Sequence, residues 1–269
     1  MVELHFANIT EEAKCQHVRA RSKDNLRQYL EVVHHVGADV GYDRGSLMER
    51  FQQYAGESKS AAEETHSLLK KLDLLQTDGS PTDAGRFAGM VAAENRMGLL
   101  QDLFIQHMRA MPTIAYTIDI LRRRGTILTS DEIYADIVEI STIDSSAEAN
   151  SVRNALNLLA DFDVVAESDR GFEYLSRDQT VLESVVYGVY LLGYDGETVE
   201  ARVLRERLPR LIHCTETSSE KLFSRARKQY ALFSYRTQGD HSRSKPYGGV
   251  FDVQVSDVGP NDLYDALVR

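Results

Sequence analysis

Apolar side chains recur at three- and four-residue intervals along most of the chain, the spacing of helices with one buried face. Leu26, Tyr29, Leu30 and Val33 mark a first helix that Gly37 closes. Leu47, Phe51 and Tyr54 share one face of a second, ended by Gly56. Ala61, Thr65, Leu68 and Leu72 mark a third, with Ser58 or Ser60 as its N-cap. The period then changes: Leu74 to Thr77 is short and apolar, and Asp78-Gly79 signals a tight turn.

The same order returns. Ile114, Ile118 and Leu121 predict a helix stopping at Gly125. Ser130-Asp131-Glu132 caps the next, whose face is Ile133, Ile137 and Ile140. Val152, Leu156 and Leu159 follow, and then a hairpin runs from Val164 to Leu175 around Asp169-Arg170-Gly171. Residues 68–75 and 158–165 even align in letters at the helix-to-hairpin junction. A third, looser pass has Val181, Val185 and Val189 ending at Gly193, then Leu204, Leu208 and Leu211 interrupted by Pro209. Leu222, Ala226, Tyr230 and Phe233 mark its last helix, capped by Thr217 or Ser218. A long hairpin runs out over 231–236 and back over 250–255, around a loop from Thr237 to Gly249.

Three helices followed by a hairpin, in tandem, resemble the winged helix-turn-helix superfamily over most of residues 24–256. The fold expected is mainly α with small β-hairpins, as tandem winged helix-turn-helix units. The expected organisation is an N-terminal unit with its extension over 1–82, connecting helices over 83–110, a second unit over 111–178 and a third, basic unit with a C-terminal tail over 179–269. A short helix is expected over 261–269. The resemblance implies transcription regulators, chromosome-maintenance subunits, or the DNA-recognition parts of restriction and phage-defence systems.

Charge singles out the third unit. The 269 residues hold 31 Lys+Arg against 41 Asp+Glu, a net charge of −10, which disfavours nonspecific coating of nucleic acid. Yet residues 217–247 carry seven basic residues against Glu220 and Asp240, a local excess of +5 that leaves −15 elsewhere. On a helix, Lys221, Arg225 and Lys228 form one stripe with Ser224 beside it, opposite Leu222, Ala226 and Tyr230. A recognition helix needs that arrangement: one face to bury, and long cationic donors to reach phosphates and base edges. Arg236 on the outgoing strand, and His241, Arg243 and Lys245 in the glycine-rich loop, would form a basic wing. The DNA-binding set is therefore Lys221, Ser224, Arg225, Lys228, Arg236, His241, Arg243 and Lys245, and the partner is double-stranded DNA. The other third helices suit DNA less. One exposes a mixture of Lys59, Glu63, His66 and Lys70; the other exposes Asn150, Asn154, Asn157 and Asp161, with Arg153 at the edge and Glu148 near its start. They are expected to brace the fold, hold protein partners or mediate self-association.

Sites of other chemistry are not found. The sequence has no phosphate-binding GxxxxGK[ST] loop, no strand-linked GxGxxG and no HExxH. Cys15 with His17 supplies only two ligands, and the adjacent His34-His35 and His213-Cys214 read as packing. Tyr116, Tyr134, Tyr174, Tyr187, Tyr190 and Tyr194 read as core or interface. No enzyme activity, metal or cofactor is expected. Two isolated cysteines, no secretory signal and no membrane-length apolar run point to the cytoplasm.

Overall fold

The computed structural model describes residues 3–6, 22–36, 42–140, 147–178, 180–193, 198–237, 246–255 and 258–269. They are mainly helical, with small antiparallel sheets. Among them no helix is long and apolar enough to cross a membrane. The chain forms two compact, discontinuous units. An N-terminal unit joins Glu3–Gly85 to His107–Leu175, and a C-terminal unit joins Arg86–Gln106 to Ser176–Arg269.

In the N-terminal unit the first helices are α1 (Lys23–Val36), α2 (Arg44–Ala55) and α3 (Lys59–Lys71). Asp43 caps α2 by accepting from the Ser46 N–H at 2.9 Å, and Ser58 caps α3 by accepting from Ala61 at 3.2 Å. Gly56 ends α2 in the left-handed region at φ 69°. Leu26, Leu30, Leu47, Phe51, Leu69 and Leu72 are fully buried. Two expectations fail here. His66 points into this core and not to solvent, because the Tyr29 hydroxyl lies 2.8 Å from its Nδ1. Tyr54 is 61% exposed despite sharing the helical phase of Leu47 and Phe51.

The expected hairpin after α3 shrinks to a single antiparallel bridge, Leu75 to Pro81. Pro81 has no N–H with which to extend a ladder. Asp78 instead accepts from the Ser80 N–H and hydroxyl at 2.9 and 2.7 Å, which closes a tight turn. The chain then enters α4 (Asp83–Ala93), crosses to the other unit after Gly85, and returns after α5 (Met97–His107).

The rest of the N-terminal unit holds α6 (Pro112–Arg124), α7 (Ser130–Ile140), α8 (Ala147–Asp161), β1 (Val165–Ser168) and β2 (Gly171–Tyr174). Gly125 closes α6 at φ 60°. The cap of α7 lies one residue earlier than expected. Thr129 accepts from Glu132 N–H at 3.3 Å, and the Glu132 carboxylate accepts the Thr129 N–H at 2.7 Å, a reciprocal capping box. Leu128, between α6 and α7, exchanges two backbone hydrogen bonds with Phe172 of β2 at 2.9 and 2.8 Å. That pairing demands glycine next door: Gly171 sits at φ 131°, and a Cβ there would lie 2.4 Å from the Leu128 carbonyl oxygen. Arg109 is fully buried, forks onto the Asp119 carboxylate at 3.0 and 3.3 Å, and donates to the His5 carbonyl at 3.2 Å. Its guanidinium also covers the Phe6 ring at 5.2 Å.

The C-terminal unit contains α9 (Leu182–Leu192), β3 (Thr198–Glu200), α10 (Ala201–Leu211), α11 (Glu216–Gln229), β4 (Ser234–Thr237), β5 (Val250–Gln254) and α12 (Pro260–Leu267). Its sheet has the order β3-β5-β4, all antiparallel. The third strand, β3, went unseen in the sequence because it is three residues long. Pro209 does not interrupt α10, which continues to Leu211. Phe87 stacks on Tyr187 at 5.2 Å, and the Gln106 amide donates to Ser184 at 2.8 Å. Tyr187 and Tyr190 are buried here, as is Tyr116 in the other unit.

Candidate nucleic-acid interface

The third helix of the C-terminal unit is fixed at its start by two side chains. Thr215 accepts from the Ser218 N–H at 3.2 Å, and Asp178 accepts from the Thr215 N–H and hydroxyl at 3.0 and 3.2 Å. The cap is therefore Thr215, not Thr217 or Ser218. The same bonds hold the Asp178 carboxyl below its usual range, with the Thr215 N–H contributing most. One side of α11 is buried through Ser219, Leu222, Phe223 and Ala226. Phe223 meets the Tyr247 and Tyr235 rings at 5.3 and 6.1 Å, and the Tyr247 hydroxyl donates to Ser219 at 3.1 Å. Burial pushes both tyrosine hydroxyls up to about 12.

The other side carries the charge. Lys221, Arg225 and Lys228 are exposed, and Ser224 is half-buried beside them. Among the described residues, no hydrogen bond or ion pair engages these three cations. The remaining bases are used differently. Arg227 lies over the Tyr235 ring, 4.8 Å from its centroid. Arg236 is 77% exposed but ion-paired with Asp252, directly opposite it on β5. His241, Arg243 and Lys245 lie outside the described residues, so the structure assigns no geometry to the expected wing loop. The helix also ends at Gln229, earlier than the periodicity suggests: Tyr230 leaves helical geometry, and Phe233 packs from the following segment.

A polar groove of 510 Å3 crosses the sheet between Thr198, Glu200, Ser234, Arg236, Asp252 and Gln254. Glu200 pairs with Asp252, and Asp252 with Arg236, in one row across the three strands. Two carboxylates against one guanidinium repel phosphate, so this groove is poorly suited to an anion.

The pattern also contained a signal that the apolar periodicity hid. Arg202, Arg205, Arg207 and Arg210 recur on α10 with only Glu206 against them. Arg202 and Arg205 are exposed, and α10 packs against α11. The corresponding helices of the N-terminal unit differ. On α3, Lys59, Glu63 and Lys70 are exposed, and on α8, Asn150, Arg153, Asn157 and Asp161 are. Asp161 is already engaged, accepting the Lys23 N–H at 2.8 Å. Among the described residues, no three His, Cys, Asp or Glu side chains are grouped so as to hold a metal ion. Cys214 is buried and takes part in no disulfide, and His213 is buried beside it. Cys15 and His17 lie outside the described residues.

No protein-family model and no curated protein matches the sequence. The fold is nonetheless shared. Two crystal structures of SspB, one of them magnesium ion-bound, each superpose with a TM-score of 0.61 at 12% identity, covering 97% of this chain and 89% of theirs.

Proposed function

We propose that the chain is a non-enzymatic double-stranded-DNA-binding protein of tandem winged-helix build, with α11 as its recognition helix. The observation that carries this reading is the Lys221, Arg225 and Lys228 stripe, exposed and uncompensated on a helix whose opposite face is locked into the core. Such a helix can neutralise phosphates without first breaking an internal ion pair. Element order supports the winged-helix part. In the C-terminal unit a strand between the first and second helices, β3, pairs with the last strand, β5. In the N-terminal unit Leu128 occupies the same place in the order and pairs with β2. Arg202 and Arg205 on the preceding helix extend the cationic surface, and Arg227 and Arg236 serve as braces on Tyr235 and Asp252. Arg243, Lys245 and His241 complete the proposed wing.

Fluorescence anisotropy with a labelled random duplex pool tests this. Wild-type protein should bind at low salt, and the joint substitution of Lys221, Arg225 and Lys228 by alanine should abolish most of that binding. A folded wild-type protein that binds no duplex would end the proposal. A second reading, a winged-helix scaffold for protein partners in a chromosome-maintenance or defence complex, draws on the charge: −10 overall, with mixed faces on α3 and α8. It predicts loss of a protein partner, not of duplex, from the same variant.

A further inference from the structure

Tyr54 is the most exposed of the large apolar side chains described, and it is not loose. Its hydroxyl donates to Glu31 Oε2 at 2.9 Å, while Arg27 pairs with the other oxygen of the same carboxylate. Glu31 is itself 8% exposed. The tyrosine is thus pinned at its polar tip with most of its surface open to solvent, and no aromatic partner covers the ring among the described residues. The pinning costs side-chain freedom and leaves apolar surface wet, a poor arrangement for stability alone. The ring borders a cleft of 330 Å3 between α1 and α2, floored by Val32 and lined by Glu31, His35, Arg50 and Gln53. Arg50, Gln53 and Tyr54 share one face of α2.

Charge decides what the cleft can take. Arg27 neutralises Glu31, and Arg50 is exposed with no ion pair among the described residues, so the lining side chains carry one positive charge; Glu49, just outside the lining, accepts from the Gln53 amide at 3.4 Å. A cationic ligand is disfavoured, and an anion with a flat apolar part fits. We propose that this cleft is a stacking platform for an unpaired nucleotide of a nucleic-acid strand. The base lies on the Tyr54 ring, the Gln53 amide reaches its edge, and Arg50 meets the adjoining phosphate. Stacking on an aromatic face beside a cation is how proteins hold single strands without strong sequence preference. A volume of 330 Å3 is at the small end of ligand cavities, enough for one nucleotide. Among the described residues, Arg50, Gln53 and His35 at the rim are exposed and can meet the strand on either side of the stacked base. The inference does not rest on the duplex reading, because α11 takes no part in it.

The test is anisotropy with a labelled oligo-dT of about 12 nucleotides, within the usual site size for single strands, at low salt. It is run in the wild-type chain and in the variant lacking Lys221, Arg225 and Lys228. Tyr54→Ala should weaken single-strand binding about 5- to 100-fold in both backgrounds, while duplex binding in the wild-type background stays unchanged. Tyr54→Phe should retain most of the affinity, and Arg50→Ala should lower the salt slope by about one. The chain has no tryptophan, so Tyr54→Trp provides a single reporter whose emission should be quenched on adding oligo-dT. That variant keeps the test decisive if Tyr54→Ala fails to fold. Equal binding by wild type and Tyr54→Ala, or no quenching of Tyr54→Trp, would overturn the proposal. So would displacement of the strand by an acidic aromatic peptide at concentrations where thymidine monophosphate does not compete, since that would assign the cleft to another ligand.

Discussion

Buried polar residues set the sharpest expectations at the scale of single side chains. His66 and His107 are 2% and 0% exposed, and burial lowers both to about 4. His107 Nδ1 lies 2.8 Å from the Leu72 carbonyl oxygen, so that nitrogen carries the proton in the neutral ring. Both histidines fold neutral, but the unfolded chain protonates them near 6.5. Their contribution is intact above about pH 6.5 and declines as pH falls towards 4, because over that window the unfolded state binds the extra protons. Urea unfolding at pH 7.5 and pH 5 should show stability falling by roughly 1–2 kcal/mol per histidine. A pH-independent stability would contradict their burial in the neutral form. Arg109 gives a second test. Arg109→Ala strands the Asp119 carboxylate in the core and should cost about 3–5 kcal/mol in urea unfolding. Neither role was legible beforehand. Periodicity places His66 on the outer face of α3 and says nothing of Tyr29, 37 residues earlier, which supplies its partner.

At the scale of elements the sequence was more informative, and its failures have local causes. The helices follow their apolar stripes, and Gly56 and Gly125 end α2 and α6 as the pattern predicts. Caps were displaced where a second side chain shares the work: Glu132 makes Thr129 the cap of α7, and Asp178 supports Thr215 on α11. Strand β3 escaped notice because three residues carry no readable alternation. The basic stripe on α11 was readable because it depends only on helical phase. The pairing of Arg236 with Asp252 was not, since strand register fixes it. The faces of α3 and α11 make a paired prediction. Charge reversal at Lys59 and Lys70 should leave duplex affinity nearly unchanged. A tenfold loss, about 1.4 kcal/mol, would place the duplex on the N-terminal unit. Gly171→Ala should destabilise the chain by roughly 1–3 kcal/mol in thermal unfolding, from strain at φ 131° and collision with the Leu128 carbonyl.

For the whole molecule, net charge and local charge point in opposite directions, and salt separates them. A chain of net charge −10 gains little from a diffuse attraction to DNA, so any duplex affinity must come from a few localised contacts. About four to six phosphate contacts predict a slope of log K against log salt near −4 to −5, from roughly −0.9 per contact. The deciding measurement is that slope for the intact protein and for the variant with Lys221, Arg225 and Lys228 replaced together. Duplex binding through the α11 stripe predicts that the slope flattens by about two to three units when the stripe is removed. A steep slope that survives unchanged in the folded variant would contradict it.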